Sequence, residues 1–93
     1  MDYKNYQMYI AGQWTESESR KQFESYSPVT GESLGSVPEG SRADVQRAVQ
    51  AANSSWRNWA KRTAFERAAI VEHAARIVHE RRDELARVLT LEQ

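Results

Sequence analysis

The sequence predicts an α+β fold, short β-hairpins followed by two α-helices, and three observations carry that reading. Residues 1–40 hold all four glycines, both prolines and all four tyrosines, whereas residues 41–93 hold 11 of the 12 alanines and neither Gly nor Pro. Charge divides at the same place: 3 basic and 6 acidic residues (net −3) precede Ser41, and 10 basic and 7 acidic residues (net +3) follow it. The apolar pattern also changes, from short runs bounded by turn residues to a helical repeat. The 93 residues read as one unit, 1–93, with strands and hairpins over 8–37, a helix over 41–60 and a second helix over 63–92. No internal repeat or linker divides it.

The strands come first. Met8-Tyr9-Ile10 and Gln13-Trp14-Thr15 flank Ala11-Gly12, and an X-Gly pair between two apolar-aromatic runs predicts a tight hairpin. Ala-Gly signals this less strongly than Asn-Gly, because alanine resists the positive φ of a type I′ turn. A second hairpin is predicted to pair about Gln22–Tyr26 with about Ser33–Val37. The segment between, Ser27-Pro28-Val29-Thr30-Gly31, combines a proline that presets φ with a closing glycine. In that strand Phe23 and Ser25 face one way and Glu24 and Tyr26 the other.

The helices follow. Ser41-Arg42-Ala43-Asp44 sets a hydroxyl N-cap three residues before a carboxylate, close to a capping box. Val45, Ala48, Val49, Ala52, Trp56 and Trp59 then recur at helical spacing, which assigns the two tryptophans to the core side. Thr63-Ala64-Phe65-Glu66 is a full capping box, so a second helix starts at once. Its stripe is read as Phe65, Ala69 or Ile70, Ala74, Ile77, Val78, Leu85, Val88 and Leu89, with Glu72–Arg76 and Asp83–Arg87 as i,i+4 ion pairs. No Gly or Pro stops this helix before Gln93, and a chain that ends inside a helical pattern reads as truncated.

Composition removes several functions. Thirteen basic and 13 acidic residues cancel to a formal charge of zero, against the electrostatic demands of a nucleic-acid or acidic-membrane binder. There is no Cys, hence no disulfide, thiolate metal site or cysteine nucleophile within these residues. No apolar run approaches the roughly 20 residues of a membrane helix. The N-terminus lacks the basic and apolar regions of a secretory signal, so the expected compartment is cytoplasmic.

The remaining residue patterns offer no complete active site. His73 and His79, six apart, do not share a helix face, and His79 with Asp83 supplies two metal ligands where a site needs more. Ser54, Ser55 and Thr63 have no neighbouring base. Gly31, Gly35 and Gly40 are too far apart for a phosphate loop. Two helices joined by Lys61-Arg62 suggest a rival reading, a small helical interaction or DNA-binding module. Against it, Arg67, Arg76, Arg81, Arg82 and Arg87 project in several directions with acids between them.

One ordered string goes further. It runs Tyr9-Ile10-Ala11-Gly12-Gln13-Trp14, Ser27-Pro28-Val29-Thr30-Gly31-Glu32, Val37-Pro38-Glu39-Gly40-Ser41-Arg42-Ala43-Asp44-Val45, Ala48-Val49-Gln50-Ala51-Ala52, Trp59-Ala60, Thr63-Ala64-Phe65-Glu66-Arg67, Arg81-Arg82-Asp83-Glu84-Leu85-Ala86 and Leu89-Thr90-Leu91-Glu92-Gln93. In order and spacing it resembles the N-terminal portion of the NAD(P)-dependent aldehyde dehydrogenase superfamily, from Met8 almost to the end. Ser27 departs from the Asn usual before the proline of the family turn, but its side chain can cap the same turn.

The resemblance implies that this segment opens an α/β, Rossmann-like cofactor-binding domain. The parent enzyme would oxidise an aldehyde to a carboxylic acid through a Cys thiohemiacetal, with hydride passing to NAD or NADP. The nucleophile and nicotinamide contacts lie downstream in the family. The 93 residues alone are therefore expected to hold no cofactor and to be inactive. Many family members also bind a structural monovalent cation through backbone carbonyls, two of which correspond to Ser25 and Tyr26 here. The small core implied by an alanine-rich composition leaves two ways to bury the helix stripe, by folding back on the hairpins or by self-association as a homo-oligomer, and the second is favoured.

Overall fold

Turn chemistry in the first forty residues produces two separate small sheets. The computed structural model describes residues 4–93; residues 1–3, the start of the expected unit, lie outside the described residues. The elements in order are β1 (Lys4–Asn5), β2 (Met8–Ile10), β3 (Gln13–Thr15), β4 (Gln22–Tyr26), β5 (Ser33–Pro38), α1 (Arg42–Lys61), α2 (Ala64–Glu80) and α3 (Arg82–Glu92).

β2 and β3 form the first hairpin, with Met8 opposite Thr15, Tyr9 opposite Trp14 and Ile10 opposite Gln13. Its two-residue loop is Ala11 (φ 54°) and Gly12 (φ 77°), both in the left-handed region that a type I′ turn requires. Glycine adopts this freely; alanine does so against its Cβ. The loop makes Ile10 and Gln13 the hydrogen-bonded pair, so Tyr9 and Trp14 are the non-bonded pair whose side chains approach most closely. Their ring centroids are 5.0 Å apart with planes at 55°.

The second sheet has the order β1-β5-β4. β4 and β5 form the expected hairpin, whereas β1 joins β5 in parallel, Lys4 opposite Gly35 and Asn5 opposite Ser36. A two-residue strand carries no period, so the sequence reading misses it. The register shifts between Ser25 and Tyr26, which face Gly35 and Ser33. Leu34 is therefore the additional residue of a bulge, and at 7% exposure it is the one buried apolar side chain among the described residues. The other buried side chains are polar: Ser17, Ser27, Ser36 and Asp44. Ser36 Oγ lies 2.8 Å from Asn5 Oδ1 and 3.0 Å from Gln22 Oε1, which ties β5 to both flanking strands.

The helices differ from expectation in two respects. First, the 63–92 stretch is two helices meeting at Arg81 (φ −98°, ψ 16°). His79 and Arg81 suit a helix C-terminus, Asp83 and Glu84 suit an N-terminus, and the charge order favours a junction there. Arg81 donates through Nε and a terminal nitrogen to both oxygens of Glu84, at 3.0 and 2.8 Å. The i→i−4 bonds from Arg81 N to Ile77 O and from Leu85 N to Arg81 O are both 3.0 Å, so α2 and α3 form one bent rod.

Second, the helices are hardly enclosed. Trp56 and Trp59, expected on the core side, are 54% and 39% exposed. The side of α1 that faces the first hairpin carries Arg47, Ala48 and Ala51, and at about 100° per residue the stripe of Val45, Val49 and Trp56 is centred a quarter-turn or more away. Phe65 is 88% exposed and stands across the helix from Ala74, outside the stripe that Ile70, Ile77 and Val78 share. Asp83 pairs with Arg82 at 3.3 Å instead of with Arg87. Neither α2 nor α3 buries a residue.

Candidate functional site

The most densely bonded side chain is Asp44, at the first turn of α1 and only 2% exposed. Ser41 N–H donates to its Oδ2 at 2.8 Å and Ser41 Oγ–H to the same oxygen at 3.0 Å, while Asp44 N–H donates to Ser41 Oγ at 3.4 Å. This is the reciprocal capping box legible in Ser41-Arg42-Ala43-Asp44. Two further donors come from elsewhere. Arg47 donates to Oδ1 at 2.7 Å, and Glu18 N–H, 26 residues away, reaches Oδ1 at 3.0 Å and Oδ2 at 3.3 Å.

The Ser41 N–H bond, then Arg47, hold the Asp44 carboxyl well below the usual carboxylate range, against the opposing effect of burial. A general base needs a free lone pair and a pKa near the working pH. Asp44 has neither. It is a structural clasp that fixes the 16–20 turn to the start of α1. The turn itself is closed by Arg20 N–H donating to Ser17 O at 3.0 Å, with Arg20 at φ 58°.

The second polar knot is Ser27. Its hydroxyl oxygen accepts from Val29 N–H and Thr30 N–H, both at 3.3 Å, and its backbone closes the loop through Ser27 N to Glu32 O (2.9 Å) and Gly31 N to Ser27 O (2.8 Å). Serine thus caps the turn before Pro28. Directly before it lie Ser25 and Tyr26, the expected cation-carbonyl positions, on β4 at the edge of the sheet and at the register shift. Two carbonyl oxygens are part of a coordination sphere, since hard cations take several oxygen ligands.

Other candidates are not brought together. His73 and His79 are exposed on α2, and no group of three or more His, Cys, Asp or Glu suited to a metal occurs among the described residues. Thr63 is a cap: Glu66 N–H donates to its Oγ1 at 3.1 Å. Its hydroxyl donates to Glu66 Oε1 at 3.2 Å, so Glu66 closes on the hydroxyl where the full box would use the backbone N–H. An open hollow of about 590 Å³ lies between the first hairpin and α1, beside Trp14, Arg20 and Arg47. Both cations are already engaged, Arg47 by Asp44 and Arg20 by Glu16 at 3.8 Å.

The N-termini of α1 and α2 are each capped by their own side chains, and α3 begins with Asp83 and Glu84, whose charge repels a pyrophosphate. No described helix is long and apolar enough to cross a membrane. The sequence reading missed one tie, Glu18 to Asp44, for which a backbone donor leaves no side-chain signal.

Comparison with known proteins agrees with the ordered string. Residues 14–93 match the model of the aldehyde dehydrogenase family. Succinate-semialdehyde dehydrogenase from Burkholderia pseudomallei is 44% identical with a TM-score of 0.91, over 95% of this chain and 18% of its own. An NADP-dependent enzyme of E. coli is 35% identical with a TM-score of 0.92, over 96% and 18%. Aldehyde dehydrogenase from Bacillus cereus in complex with NAD+ is 34% identical with a TM-score of 0.90, over 95% and 18%. The chain thus spans about a fifth of the length of these relatives. Matched over residues 14–93 and 44% identical to one such enzyme across 95% of its own length, this chain belongs to the aldehyde dehydrogenase family.

Proposed function

We propose that these residues open the cofactor-binding domain of an NAD(P)-dependent aldehyde dehydrogenase, a cytoplasmic homo-oligomer that oxidises a small-molecule aldehyde to a carboxylic acid. The observation that carries this reading is the family match over residues 14–93, joined to relatives that use NAD or NADP. The role of the segment is architectural. The Asp44 clasp fixes the 16–20 turn to the start of α1, and the Ser27 turn sets the end of β4, where Ser25 and Tyr26 would offer two carbonyls to a monovalent cation completed by residues outside this segment. Catalysis and cofactor binding belong to other parts of the parent, because this segment has no Cys to act as nucleophile.

Two measurements test the proposal. Sequence beyond Gln93 in the native gene is expected to continue in a long reading frame that includes a Cys; a stop codon close after Gln93 would overturn the dehydrogenase reading. Calorimetric titration of the 93-residue chain with NAD+ is expected to give no specific heat. Micromolar binding would overturn the placement of the cofactor site elsewhere.

A further inference from the structure

We draw no further inference here: the strongest candidate, the apolar face of the rod formed by α2 and α3 with the shielded Arg67 Nε at its start, belongs to a segment spanning about a fifth of the length of its relatives, and nothing in the structure shows what covers it.

Discussion

Ala11 is the place where the first hairpin works against its own sequence, and relieving it should be measurable. Ala11 sits at φ 54°, next to Gly12 at φ 77°. An L-residue with a Cβ loses about 1–2 kcal/mol in the left-handed region, whereas Asn adopts it readily by bonding locally. Ala11→Asn should recover about 1 kcal/mol, roughly a fivefold decrease in the opening equilibrium of the hairpin. Ala11→Gly should recover less, because glycine's extra freedom in the unfolded chain takes back about 0.4–1 kcal/mol. Ala11→Val should be worse than the native residue.

The assay is native-state amide hydrogen exchange. Ile10, Gln13, Met8 and Thr15 form the hydrogen-bonded pairs of β2 and β3, and their amides should exchange about fivefold more slowly in Ala11→Asn. Amides of β4 and β5 should not change, since those strands belong to the other sheet. Equal or faster exchange at Ile10 and Gln13 in Ala11→Asn would refute the strain argument. An equal change in both sheets would refute their independence.

Three further outcomes follow from the polar knots and caps. The Asp44 carboxyl is held below its usual range, so its contribution to stability is complete above the unfolded value of about 3.9 and is lost as pH falls below it; the Asp44→Asn chain should be less stable at pH 7 and show a smaller loss on acidification, read by thermal melts from pH 2 to 7. Ser27→Ala should speed exchange at the Val29 and Thr30 amides and cost about 1 kcal/mol, whereas Ser27→Asn, which restores a capping oxygen, should leave both protected. Thr63→Ala should lower stability at the start of α2 by about 1 kcal/mol, seen as faster exchange at Glu66 with the α1 amides unaffected.

Much of this architecture is local, and local features are what a sequence displays. The hairpin turns at Ala11-Gly12 and Ser27–Gly31, the N-caps at Ser41 and Thr63, and the change from strands to helices each depend on residues within a few positions of one another. Backbone preference and side-chain-to-backbone bonds act at that range. The family string is legible for the same reason, as a series of short signals in order. Tertiary structure decided the rest. The parallel pairing of β1 with β5 joins residues some thirty apart with no period to announce it. Asp44 is legible as a cap, but its bond to Glu18 N–H depends on a loop folding back, and any residue but proline at position 18 carries that N–H. Helical spacing collects the apolar residues of α1 without saying which face meets the hairpin. There, Ala48 and Ala51 face the hairpin and Trp56 is left exposed. Periodicity reports which residues can be buried together; what buries them is a property of the surfaces brought alongside.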